Sequence, residues 1–261
     1  MTSEKQNREK DKRRGKKFRM SSITLLAIAF IMILMPMTAS ATYFYESPPY
    51  ASRVLTHVDT VTRNGQPIDG GSWAYVYHYV TPWARASDGH FGSESVSQFT
   101  SVELTNVIVS CSATMGFYSK SFTPPAGTRS YTLNCMWNVQ WHARMNMNSG
   151  AGSAYGLCKV DVTFGFWDVY GQYWVGSTPV TNNMATWYCY PGQGVDRSGS
   201  FGATGAAWTL TAGRTYQAYG IVTSLDYLWS GYGLNWRLTG YARTDIWNNG
   251  DARLPNFLIA Y

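Results

Sequence analysis

Residues Tyr131 to Met145, YTLNCMWNVQWHARM, alternate apolar and polar side chains. Tyr131, Leu133, Cys135, Trp137, Val139, Trp141, Ala143 and Met145 fall on one parity. Thr132, Asn134, Asn138, Gln140, His142 and Arg144 fall on the other, and Met136 alone is out of line. Successive strand side chains point to opposite faces, so this period of two predicts a β-strand with one dry and one wet face. Shorter segments of the same kind recur at 53–61, 72–80, 102–113, 157–167, 172–176, 185–190, 206–210, 215–223 and 233–243, with turn residues between them. The apolar parity of 102–113 shifts near Asn106, which predicts a bulge there. Ala-Gly precedes a Tyr-led strand in both PPAGTRSYTLNC and LTAGRTYQAYG, and Gly127 and Gly213 suit the positive φ of such a turn. The glycine- and serine-rich stretch 191–205 reads as the longest loop.

After Ala41 no segment keeps a helical apolar period. The expectation is an all-β, antiparallel β-sandwich in one domain, 42–261, for which a jelly-roll-like winding is one form.

A different pattern precedes it. Residues 1–19 hold nine Lys or Arg and three acids, residues 23–35 carry no charge, and Pro36 and Ala39-Ser40-Ala41 follow. This is the layout of a hydrophobic signal helix with cleavage after Ala41, and it points to a secreted or cell-surface protein. The alternative is an uncleaved anchor that leaves 42–261 outside the membrane. The apolar run is short against the ~20 residues of a spanning helix.

The segment changes the charge argument. The chain has 21 basic and 15 acidic residues, and removal of 1–41 leaves twelve of each. The sequence pI near 9.1 therefore belongs to the leader, and no nucleic-acid partner is expected. Membrane contact is expected only through the N-terminal segment.

Four cysteines remain: Cys111, Cys135, Cys158 and Cys189. An even count in an exported chain predicts two disulfides, with Cys111–Cys135 and Cys158–Cys189 the simplest of three pairings. The spacings hold no close pair of zinc-ligand type, so neither metal nor cofactor is expected.

No catalytic signature occurs. His57 and Asp59 share a strand face, and His142 lies between Gln140 and Arg144, but no nucleophile can be tied to either. Asp168 and Asp196 read as turn formers. The informative feature is a set of aromatic doublets. In VDVTFGFWDVYGQYWVGS the core parity runs through Val160, Val162, Phe164 and Phe166, so Trp167 points outward. Across the following turn Trp174 joins it diagonally if the loop is even, and Tyr173 joins it directly if the loop has three residues. Trp187 and Tyr188 likewise point to opposite faces. Trp167, Tyr173, Trp174 and Trp187 are thus the candidate aromatic platform. The function expected is non-catalytic binding or assembly, with a polysaccharide, a surface protein or further copies of the chain as partner. The alternative is a secreted glycoside hydrolase, which needs a carboxylate pair such as one involving Glu94 or Glu103.

Overall fold

The computed structural model describes residues 43–63, 66–67, 74–101, 106–125, 127, 129–148, 153–176, 179–231, 238–246 and 252–261. Residues 1–42, with the expected signal segment and Ala41, lie outside them, as does Glu103. The described residues are strands joined by turns: β1 (Tyr43–Glu46), β2 (Ser52–Arg63), β3 (Gln66–Pro67), β4 (Ala74–Arg85), β5 (His90–Ser101), β6 (Val107–Tyr118), β7 (Arg129–Met147) and β8 (Ala154–Asp168). Then follow β9 (Tyr173–Trp174), β10 (Val180–Cys189), β11 (Gly194–Phe201), β12 (Thr204–Leu210), β13 (Tyr216–Ser230), β14 (Leu238–Ile246) and β15 (Arg253–Ala260). Every pairing is antiparallel.

The alternating stretch that is most regular in the sequence organises the first sheet. β7 pairs along one side with β12 and then β11, and along the other with β15 and then β14. β14 pairs with β5, β5 with β4, and β1 lies outside β15. The second sheet runs β10-β8-β13-β6-β2-β3, with β9 on the free end of β8. The two sheets face each other: β5 lies against β6, β14 against β13, β7 against β8, and β11 against β10. The odd residues of β7 and β6 and the even residues of β8 and β13 fill the space between. Removing this apolar surface from water is the main force holding the sheets together.

Several expectations need correction. The stretch 191–205 is not a loop. Most of it is β11 and the start of β12, which pair with residues 139–146 and 129–135 of β7. Its apolar pattern is weak because β11 is a partly exposed edge strand held chiefly by the β7 ladder. Asp196 accordingly lies within β11 rather than in a turn. Asn106 stands just before β6 with φ of 42°, and its Oδ1 accepts a hydrogen bond from Trp229 Nε1 at 2.8 Å; residues 102–105, on the far side of the expected bulge, lie outside the described residues. Gly127 and Gly213 both have positive φ, 92° and 76°.

The two disulfides are absent: all four cysteines are free and buried. Asp226 of β13 stands directly opposite Cys111 on one side and Cys158 on the other, so a whole strand separates those thiols. That is two inter-strand spacings of ~4.8 Å, too far for a disulfide. Cys135 belongs to the opposite sheet, and its thiol approaches Tyr219 O at 3.9 Å. The Cys189 thiol donates to Gln193 O at the β10–β11 turn, 3.2 Å away. Thiol titration of the denatured chain without reductant should therefore count four thiols, whereas two disulfides would leave none.

Candidate functional site

The outer face of the β10-β8-β13-β6 sheet follows from parity. The odd residues of β8 and β13 point away from the core, so the aromatics among them come to the surface of one sheet. Trp167 and Trp174 stand directly opposite each other on β8 and β9, with ring centroids 4.6 Å apart. The intervening turn is even, as Trp174 on the outer face requires, but the pairing is direct rather than diagonal. Trp174 also covers Tyr219, 4.4 Å away, and that ring lies over Gly165, where it fills the space a side chain would take.

The turn between β8 and β9 is built by Asp168. Its buried carboxylate accepts the backbone N–H groups of Tyr170 (3.1 Å) and Gly171 (2.7 Å) and an ion pair from Arg214 (3.0 Å). These donors outweigh burial and hold its pKa below the ordinary carboxylate value. Tyr173 is half exposed, and Arg214 lies over its ring.

A second aromatic group occupies the other end of the same face. Tyr155 of β8 lies against Tyr227 (5.7 Å, stacked) and Trp229 (5.5 Å) of β13 and Tyr188 (6.0 Å) of β10. Tyr188 stacks on Tyr190 at 6.5 Å with planes 14° apart, and both are 51% exposed. Trp167 and Tyr155 are twelve residues apart on β8, which places the two groups roughly 40 Å apart at ~3.3 Å per residue. Between them stand hydroxyl pairs, Thr114–Thr223 (3.3 Å) and Thr163–Thr181 (2.9 Å), and the Lys159–Asp161 ion pair (2.5 Å).

The candidate platform is thus redistributed. Trp167 and Trp174 meet, Tyr173 lies beside them, and Trp187 does not join. Trp187 faces inward and packs on Trp141, with centroids 4.7 Å apart. Tyr155, Tyr190, Tyr227 and Trp229 were missed. For the last two the signal was present as Tyr227-x-Trp229, but the inward residues just before that pair, Ser224 and Asp226, are polar and hid the strand.

The outer face of the opposite sheet has another character. His142 and Arg144 of β7 both contact Asp196 of β11, at 2.7 and 3.2 Å. Arg243 of β14 holds Glu94 and Asp245, each at 2.9 Å. The wet side of the long strand therefore carries a lattice of ion pairs.

A polar row crosses the interior. Asp59, Cys111, Asp226, Cys158 and Trp187 are register neighbours across the second sheet. From the facing sheet, Ser95 Oγ and Thr244 N–H donate to Asp226 Oδ2 at 2.7 and 3.1 Å, and the Thr244 hydroxyl donates to Oδ1. The Cys158 thiol donates to Oδ1 at 3.4 Å, and Ser93 and Ser224 bond at 3.1 Å. Asp59 does not pair with His57. It pairs with His78 of β4 and accepts from the Cys111 thiol at 3.3 Å.

No protein-family model matches the sequence, and no curated protein matches it. Among solved structures, one titled "Structure of infectious bursal disease virus Gx strain" aligns over 86% of this chain and 62% of its own, at 11% identity and a TM-score of 0.13. A likeness at that level carries neither fold nor function, so the chain's own residues carry the functional reading.

Proposed function

We propose that this chain is an exported β-sandwich protein of jelly-roll type that binds a neutral polysaccharide and does not act by catalysis. The jelly-roll reading rests on strand order. Eight strands lie as β5-β14-β7-β11 against β6-β13-β8-β10, and each facing pair, β5/β6, β7/β8, β10/β11 and β13/β14, is consecutive along the chain. Export rests on the basic and apolar leader.

The observation that carries the binding reading is the outer face of the β8 sheet. It has aromatic rings at both ends and hydroxyl rows between them. Rings stack on the apolar faces of sugars while threonine hydroxyls bond to sugar hydroxyls, and neither contact needs charge. The nearest acids, Asp161 and Asp168, are each tied to a cation. That arrangement favours binding over the paired free carboxylates of a hydrolase.

The test is a polysaccharide screen on the full-length protein, read by intrinsic tryptophan fluorescence. Tyr188→Ala and Tyr190→Ala should each weaken a hit about tenfold, the equivalent of ~1.4 kcal/mol, and leave the fold intact. Trp167→Ala should also shift the emission response. A screen without hits, or a hit indifferent to all three variants, would refute the proposal.

A further inference from the structure

Three side chains from three strands meet where the edge strands β2 and β4 close over β6. Asp59 stands directly opposite Cys111 in the β2–β6 ladder, with Sγ 3.3 Å from Oδ1. His78 of β4 brings Nδ1 to the same carboxylate oxygen. The three donor atoms all lie within 4.8 Å of one another. Thiolate, imidazole and carboxylate are together the donor types of zinc and its neighbours.

Two further observations point to a ligand. Ser97 stands directly opposite His78 in the β4–β5 ladder, and its hydroxyl is completely buried. It forms no hydrogen bond of good geometry among the described residues, although it lies close enough to Cys111 to favour the thiolate. Buried hydroxyls normally find a partner, and a metal-bound water would supply one. The site also reaches solvent: the Asp59 and His78 side chains are 29% and 34% exposed, while Cys111 is buried.

We propose that Asp59 Oδ1, His78 Nδ1 and Cys111 Sγ bind one divalent ion of the zinc class, with the fourth tetrahedral position left to water. Ligand atoms around tetrahedral zinc stand roughly 3.3–3.7 Å apart, given bonds of ~2.0–2.3 Å. The sulfur–oxygen distance already matches. The imidazole must withdraw from its hydrogen bond, with its proton on Nε2 and Nδ1 free to ligate. Without metal the Cys111 thiol keeps its proton and donates it to Asp59 Oδ1 at 3.3 Å. Binding therefore forms the metal–sulfur bond, breaks S–H and releases one proton to solvent. Thiolate and carboxylate then balance the two charges of the ion.

The full-length protein, freed of metal by a chelator, should be titrated with cobalt(II) and then zinc(II). One cobalt per chain should bind and develop a thiolate-to-metal charge-transfer band and the intense visible bands of tetrahedral cobalt. Zinc should displace it. About one proton should leave per ion at neutral pH. Cys111→Ser should abolish the charge-transfer band, and Cys158→Ser, at the other thiol in the row, should leave it in place. His78→Gln and Asp59→Asn should weaken binding by about tenfold or more. These two sites are partly exposed, so they decide the matter even if Cys111→Ser fails to fold. Absence of a charge-transfer band, its survival in Cys111→Ser, or unchanged affinity in both His78→Gln and Asp59→Asn would overturn the proposal.

Discussion

Asp226→Asn should remove most of a loss of stability that the unsubstituted protein is expected to show between about pH 4 and pH 7. Asp226 is fully buried, and among the described residues its hydrogen-bond partners are Ser95, Thr244 and Cys158, none of them a cation. The hydrogen bonds favour the carboxylate, but desolvation dominates and pushes the group up to about 7. The unfolded chain releases this proton near the ordinary value of 3.8, whereas the folded chain keeps it to about 7. The native state thus binds more protons across that interval, and stability falls as pH rises through it. The slope is ~1.4 kcal/mol per pH unit, and the total is on the order of 4 kcal/mol. Below the interval this contribution is fully present, and above it the curve is flat.

Other acids do not blur the test. Asp88, Asp168 and Asp196 have lowered pKa values, so their contribution is lost only as pH falls below the ordinary carboxylate range. Buried Glu46 is raised and adds the same sign as Asp226, but it is unchanged in the variant. Urea midpoints from pH 4 to 8, with chelator present, should show the wild type losing stability across the interval and Asp226→Asn losing much less. Equal slopes in the two proteins would mean that Asp226 ionises freely in the folded state.

Asp226 also explains which strands were legible. β7 and β8 could be read because their inward residues are apolar without interruption. β5 turns Phe91, Ser93, Ser95, Ser97 and Phe99 inward, so its buried face looks like a loop in the sequence. β13 was cut short at 223 for the same reason, and the aromatic pair Tyr227 and Trp229 was lost with it. The sequence could not tell a serine that meets water from one that meets Asp226, because the partners lie 131 residues apart. The Asp59, His78 and Cys111 cluster was hidden by a different cause. Its members come from three strands: the β2–β6 register sets Asp59 opposite Cys111, and only the packing of β4 against those strands brings His78 to them. The outward doublet at Trp167 was readable because local parity alone decides it, whereas placing Trp187 inward required the β10–β8 register.

Alanine at position 116 should be among the most damaging single substitutions in the protein. Gly116 lies in β6 between β2 and β13. A Cβ there would stand 2.1 Å from the Gly220 carbonyl oxygen and 2.7 Å from Ile221 Cα, both backbone atoms of β13. Its φ is not positive, so a lack of space rather than unusual backbone geometry demands glycine. Relief requires β13 to move away from β6 along a twelve-residue ladder that also holds Asp226 opposite Cys111. Overpacking that side chains can absorb costs ~1–3 kcal/mol, and displacement of a central backbone should exceed that range. Gly165→Ala is the control. Its Cβ meets the Tyr219 hydroxyl at 2.8 Å, a side-chain rather than a backbone atom, but that ring is buried beneath Trp174, so a loss within the overpacking range of ~1–3 kcal/mol is expected. Urea unfolding of the two variants separates the cases. A Gly116→Ala midpoint near the wild type's would mean that β6 and β13 do not approach this closely, and the register that aligns Asp59, Cys111, Asp226 and Cys158 would have to be redrawn.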